Sequence, residues 1–468
     1  MTQLGGTTLV VFLIAGGLTL VVAWRRPFLV LSGLVLAVPF RDLGTRWMSV
    51  HGGLSTPDAT AISRWWIAVV LALLGVVALR WLLSVWKSRP PLRPNAVNIL
   101  LAAIVVLGAV DVLVSPNRAA GLTSYRGYML PLGVFLIARG LRPSRIGLRR
   151  LLAAWLAVGL LISVFALIQA ATWDEATYRQ EGYLRSDGSL VVPPVWVRGS
   201  MYLRPASTVT GPNELGVDMV LLFLLAVSSL PGARPGGQLI LSALAMLFTA
   251  ALAVTFSRSA IVGFIAGCGA LGLLAFPGVR RMRVMVAPRR WNRIGVVVGV
   301  TVLAVGLLFL ALGVFDFLRS TVSNLSGEYH IVDTLQAIQH LAANPAGVGM
   351  GMVEPKGELE GLYHVEGSLF QIAEEMGVWG LALWLGFLGL ILVRLARQQV
   401  DVNEPSLRAF AAAAFAGWVG SLVAFLFLPL MQGISLMVWL WFLLGVGLAA
   451  PQIEAAWAVG PDGGLREV

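Results

Sequence analysis

LILSALAMLFTAALAVTFSRSAIVGFIAGCGALGLLAF, residues 239–276, holds one charge in 38 residues, Arg258. About 20 apolar residues suffice for a helix to cross a bilayer core. This stretch is nearly twice that long and is interrupted at the polar turn Thr255-Phe-Ser257-Arg258-Ser259. It reads as two membrane helices that meet at a turn near the outer membrane face. Comparable runs recur along the 468 residues, of which 58% are hydrophobic and 12% charged, with a mean hydropathy of +0.84. Soluble domains carry about 25% charged residues, and half that density cannot cover a water-facing surface of this size. The composition excludes a soluble enzyme, a nucleic-acid binder and a disordered chain, despite a formal charge of +11.

Outward from this hairpin, apolar runs predict helices over 8–23, 27–40, 64–86, 96–115, 126–139, 151–171, 214–230, 239–256, 259–277, 294–314, 371–394, 407–429 and 435–450. The expected fold class is an all-α polytopic integral membrane protein of about 12–13 transmembrane helices, with outer-face loops that contain short amphipathic helices. Arg25-Arg26, Lys87/Arg89/Arg93, the run Arg139 to Arg150, Arg234, the run Arg280 to Arg293, and Arg394/Arg397/Arg408 fall in alternate connections. Cytoplasmic loops are enriched in Lys and Arg, so the N-terminus is expected outside and the C-terminus inside.

That orientation divides the chain into N-terminal helices (1–171), an outer loop (172–213), helices bearing the Ser-Arg-Ser turn (214–314), a large outer loop (315–370), C-terminal helices (371–450) and a cytoplasmic tail (451–468). Residues 41–63 form a further outer segment. The N-terminus lacks a basic n-region and a small-residue cleavage site, so its first apolar run reads as a retained helix. Cys268 is the single cysteine and lies inside an apolar run, so no disulfide forms within one chain. With 32 Arg against 2 Lys, the composition points to a bacterial, GC-rich source. The expected address is the bacterial cytoplasmic (inner) membrane, with any chemistry at its outer face.

Four outer motifs carry chemistry. In Arg198-Gly-Ser-Met-Tyr-Leu-Arg204-Pro-Ala-Ser-Thr-Val-Thr-Gly211-Pro212-Asn213-Glu214, Pro205, Gly211 and Pro212 forbid a continuous helix. Asn213 is placed to cap a helix beginning at Glu214. Arg204 then sits near a helix N-terminus that welcomes an anion. It could instead bond to Glu214, Asp218 or a lipid phosphate. Arg258, beside Ser257, offers a planar fork suited to phosphate oxygens, and a charge in such a place is a functional hypothesis by default. Its bland alternative is a pair with Asp218 or Asp111. Residues 328–343 place Ile331, Leu335, Ile338 and Ala342 on one face, an interfacial amphipathic helix ended by Asn344-Pro345. Gly347, Gly349 and Gly351 follow without the Gly-Lys-Ser/Thr of a nucleotide cradle.

The fourth motif is Tyr363-His364-Val-Glu366-Gly, running on to Glu374-Glu375-Met-Gly377. His330, His340 and His364 lie in this outer region, but no ligand spacing for a metal appears. A general base is the better reading of His364 or Glu366, the alternative being a solvated loop or helix cap.

The Arg204-Pro turn, the Ser257-Arg258-Ser259 turn, Asn344-Pro-x-Gly-x-Gly349 and Glu375-Met-Gly377-Val-Trp-Gly380-Leu, in this order, resemble the O-antigen ligase/polymerase superfamily over about residues 200–390. These are integral membrane glycosyltransferases related in fold to the cell-wall polymerases (GT-C-like). The resemblance implies transfer of a glycan from an undecaprenyl-diphosphate-linked oligosaccharide donor to a glycan acceptor. It implies that Arg204 and Arg258 grip the diphosphate and that the His364–Glu366 segment activates the acceptor. Asn213, Ser257, His330 and Glu375 are secondary candidates.

Two departures stand out. Ligases show a His-Asn-x-x-Leu run nine residues before the Glu of Glu-x-Gly, whereas counting back from Glu375 lands on Glu366, with His364 two residues earlier. Many members also carry Arg where this chain has Glu328-Tyr-His330. A polysaccharide polymerase is therefore expected ahead of a ligase. A transporter or flippase of lipid-linked glycans is the alternative from another class. No metal or other cofactor is expected, because the lipid diphosphate is already an activated leaving group. The expected partners are the lipid bilayer, the two glycans and a chain-length regulator, with no nucleic acid.

Overall fold

The computed structural model describes residues 2–88, 95–184, 188–192, 194–197, 200–275, 335–354, 363–365, 367–399 and 401–458. Among them nine helices are long and apolar enough to cross a membrane. The protein is an all-α, multi-span membrane protein. In chain order the helices are α1 (Thr2–Arg25), α2 (Pro27–Ala37), α3 (Arg41–Val50), α4 (Thr56–Ser63), α5 (Trp65–Ser88), α6 (Ala96–Val114), α7 (Arg118–Gly140), α8 (Arg145–Thr172) and α9 (Glu175–Gln180). They continue with α10 (Pro212–Ser229), α11 (Pro235–Val254), α12 (Arg258–Ala275), α13 (Ser368–Gln398), α14 (Pro405–Phe425) and α15 (Ile434–Ala458). Residues 335–343 are also helical.

Local chemistry sets where the helices begin. Proline opens α2, α10, α11 and α14, where its missing N–H is not needed. Side-chain oxygens of Asn95, Asn117, Ser144 and Glu404 cap α6, α7, α8 and α14 by accepting a backbone N–H in the first turn.

Boundaries depart from the hydropathy reading where polar residues enter a helix. α7 starts at Arg118 rather than 126, because Asn117 caps it and Gly121 and Ser124 of its first turns are buried against protein. The predicted helix 407–429 stops at Phe425, and 426–433 is a connection rich in turns. The predicted outer segment 41–63 is largely helical, as α3 and α4. The outer loop 172–213 contains α9 and an antiparallel hairpin, β1 (Pro194–Val197) with β2 (Ser200–Leu203), in which Trp196 faces Met201. The predicted helix 294–314 and the basic run 280–293 lie outside the described residues.

Helices α10, α14 and α15 form the centre, with 83%, 72% and 89% of their most apolar stretches buried, against 28% for α6 and 33% for α11. The open sides of α6 and α11 carry Val106, Leu113, Leu239 and Ile240, side chains that suit hydrocarbon. Trp155 packs edge-on against Trp439 and Phe442, with ring centroids 5.5 Å apart. The indole N–H of Trp439 donates to the Val35 carbonyl at 2.7 Å and that of Trp418 to Leu388 at 3.1 Å. Buried polar groups without such partners are costly in an apolar medium. α12 meets α14 where a Cβ on Gly263 would lie 2.6 Å from the Gly420 carbonyl oxygen, so the two backbones touch directly.

The bundle has two chemically distinct ends. Arg145, Arg149, Glu404 and Glu454 gather at one, the basic end. The other, the motif end, holds Arg204, the α11–α12 turn, the 344–351 loop and the α14–α15 connection.

Candidate functional site

α11 stops at Val254 and α12 starts at Arg258, so the hairpin read from residues 239–276 forms, with Thr255–Ser257 as its turn. Phe256 adopts φ 48° there, a left-handed conformation unusual for a bulky residue. Its ring lies 6.2 Å from that of Tyr202 on β2. The turn leaves the Thr255 carbonyl free of the helix ladder, and Arg204 uses it: Nε donates to Thr255 O at 2.7 Å and Nη2 to Asn213 Oδ1 at 2.5 Å.

Arg258 stands close enough to Arg204 for the two to repel. Burial first, and the Arg258 charge second, push the Arg204 guanidinium down to about 10, which leaves it charged at neutral pH. Among the described residues no carboxylate lies within ion-pair distance of Arg204. Glu214 is engaged elsewhere, accepting from Ser435 Oγ at 2.6 Å and Leu436 N at 3.3 Å. Both oxygens of fully buried Asp218 lack hydrogen-bond partners, so it pairs with neither arginine. Ser257 Oγ, next to Arg258, is buried and unpartnered.

Asn213 needs a correction. α10 begins at Pro212, and Gly211 occupies the capping position without a side-chain bond. Asn213 therefore lies inside the first turn, where it orients Arg204 instead of capping the helix.

The 344–351 loop seats on a kink in α13. Gly377 has φ 67° and ψ −171° within the helix, and Gly347 has φ 86°. A Cβ on Gly347 would lie 2.6 Å from both the Glu375 carbonyl oxygen and the Gly377 nitrogen. Val348 N donates to Glu374 O at 2.8 Å and Val378 N to Pro345 O at 3.0 Å, so the loop takes up main-chain groups that the kink releases. Glu375 is fully buried, and its carboxylate accepts from Ser124 Oγ at 2.9 Å and Gly351 N at 3.0 Å. It ties α7, the loop and α13 together, a positioning task. Glu374, overlooked in the sequence, is also buried, with neither oxygen hydrogen-bonded and Oε2 3.7 Å from His340 Nδ1. In the helical segment 335–343, Leu335 and Ile338 are exposed while Ala337 packs with Val353 and Val365.

His364 belongs to β4 (Tyr363–His364), which pairs in parallel with β3 (Val353–Glu354) directly after the 344–351 loop. Its main chain is thus fixed at the motif end. Glu366, His330, Glu328, Arg185 and Arg198 lie outside the described residues. The α14–α15 connection links the parts. Ser368 Oγ donates to Leu428 O at 2.7 Å and accepts from Leu430 N and Met431 N, and Gln432 Nε2 donates to Ser124 Oγ at 3.0 Å. Ser435 adds the bond to Glu214. Hydropathy assigned the start of this connection to a helix and left no signal that it was a hub.

Sequence reasoning also missed a cleft lined by Arg41, Arg64, Arg126 and Gln432. The only signal was three arginines near the predicted outer face, outside every motif. No protein-family model matches the chain, and no curated protein matches it.

Proposed function

We propose that the chain is a membrane glycosyltransferase that transfers glycan from an undecaprenyl-diphosphate-linked oligosaccharide to a sugar hydroxyl at the outer membrane face, as a polysaccharide polymerase. The single observation that carries this reading is the Arg204–Arg258 pair. Two cations held side by side at a polar turn call for an anion with more than one charge, as a diphosphate has. Guanidinium forks match phosphate oxygens. Thr255 and Asn213 aim Arg204, and the unpartnered Ser257 hydroxyl adds a donor beside Arg258.

In the reaction the acceptor hydroxyl attacks the anomeric carbon, the bond to the diphosphate breaks, and the arginines stabilise the charge that develops on the leaving group. Glu366 takes the acceptor proton, with His364 as acceptor-binding partner. The lipid diphosphate leaves as an anion, so the step balances without a further co-reactant.

The test uses purified protein reconstituted with a lipid-linked oligosaccharide. A ladder of products is the expected result; a single transfer to a separate lipid or protein acceptor would make the chain a ligase. Movement of the donor across the vesicle without any new glycosidic bond would replace the enzyme with a transporter.

A further inference from the structure

At the motif end, a cleft of about 310 Å³ opens between α3, α4, α7 and the α14–α15 connection. A water occupies about 30 Å³ of liquid, so the space suits a ligand of monosaccharide size. Its lining follows from helix periodicity. Thr60 and Arg64, four residues apart, share one face of α4 as it runs into α5, and Thr123 and Arg126 share one face of α7. Arg41 and Asp42 come from the first turn of α3.

The charges in the cleft do not cancel. Arg41 donates through Nε to Asp42 at 2.8 Å, and Asp42 also accepts from Thr210 Oγ1 at 2.7 Å. Arg64 and Arg126 have no carboxylate within ion-pair distance and no side-chain hydrogen bond among the described residues, yet lie close enough to repel one another. Two uncompensated guanidiniums therefore face one space that also presents hydroxyls and the Gln432 amide. Gln432 leads on through Ser124 to Glu375, so the cleft floor is held by a buried hydrogen-bond chain.

The geometry points to a second anion site, separate from Arg204 and Arg258, that binds a phosphate or carboxylate carried on a polyol. The arginines take the charge and Thr60, Thr123 and Gln432 meet the flanking hydroxyls. An acidic sugar and the glycerol-phosphate headgroup of a lipid share this chemistry. The site requires no transfer activity.

Calorimetry on the full chain in a neutral detergent tests it, with glucose 1-phosphate and glucuronate as probes and glucose as the uncharged control. Both acids bind, and glucose binds at least about tenfold more weakly, the fold-change that one charge-assisted hydrogen bond supports. Arg64→Gln and Arg126→Gln each weaken the acids by a similar factor, while Arg204→Gln leaves them bound. Arg64 is exposed, so its variant keeps the fold. Repeating the titration in nanodiscs separates the sources. If phosphatidylglycerol displaces glucose 1-phosphate, the occupant is a lipid headgroup; if it does not, the occupant is a saccharide in the water phase. No binding of either acid, equal binding of glucose, unchanged affinity in both cleft variants, or loss of binding in Arg204→Gln would each overturn the assignment.

Discussion

The two ends of this bundle differ in how completely they satisfy buried charge. At the basic end Glu404 is almost fully buried and completely satisfied. Arg145 reaches it at 3.0 Å, Arg149 at 3.1 Å and Leu407 N at 2.9 Å, and Ser406 also donates. Burial pushes that carboxyl up, but the Ser406 hydroxyl, the Leu407 N–H and Arg145 outweigh it and hold the group below the usual carboxylate range. Glu454 likewise accepts the backbone N–H groups of Asn403 and Glu404.

At the motif end Glu375 and Glu214 are hydrogen-bonded too, but Asp218, as deeply buried, has no hydrogen bond at either carboxylate oxygen, and Glu374 has only His340 at 3.7 Å. Arg204 meets Arg258, and Arg64 meets Arg126. A buried carboxyl group without a partner lowers stability, and among the described residues Asp218 is such a group. One end gathers arginines around a shared carboxylate; the other sets arginines beside one another.

The largest effect is expected at the motif end. Arg258→Lys and Arg204→Lys should each lower transfer by on the order of 3 kcal/mol, about a hundredfold or more, since an ammonium cannot replace a fork in a desolvated site. Initial rates at matched membrane levels measure this. Normal turnover in Arg258→Lys would make the pair structural and break the comparison.

Gly377→Ala should destabilise the fold by about 2–3 kcal/mol, because its φ of 67° disfavours a Cβ. The new atom would also lie 2.5 Å from the Pro345 carbonyl oxygen. Thermal unfolding in detergent reads the loss, and an unshifted transition would show that the kink does not hold the 344–351 loop.

Glu404→Gln should cost about 2 kcal/mol by breaking the satisfied cluster. Because the Glu404 pKa is lowered on folding, its contribution is present above the ordinary carboxylate pKa and is lost as pH falls through the lower folded value. The wild type should therefore lose stability on acidification in that range, and Glu404→Gln should show a shallower acid limb. Identical acid limbs would mean the basic end is not stabilised by this residue.

Asp218→Asn should move stability the other way, upward by about 1 kcal/mol, since an amide removes the cost of burying an unpartnered acid. A destabilised Asp218→Asn would show a hidden partner and erase the contrast between the ends. The smallest effect is the alkaline limb of donor binding. Affinity should be flat through neutral pH and decline as Arg204 deprotonates near 10; a decline near 8 would point to another group.

The sequence by itself determined that this is a many-spanning helical membrane protein, and it located the α11–α12 turn. Apolar run length answers to the bilayer thickness residue by residue, so 239–276 could be read without any partner. It also singled out Arg258, because a lone charge in an apolar run is conspicuous, and Arg204, because the Pro and Gly residues after it place it on a turn near a helix N-terminus. It misassigned Asn213 as a cap, gave Glu374 no role, and passed over Gln432 and Arg126. Which carboxylate is satisfied depends on what the next helix brings: Ser124 comes from α7, and Gly351 from a loop that Gly347 and Gly377 allow to seat. Only the tertiary structure decided these roles, because a hydrogen bond across 251 residues of sequence, as between Ser124 and Glu375, leaves no local pattern in either segment.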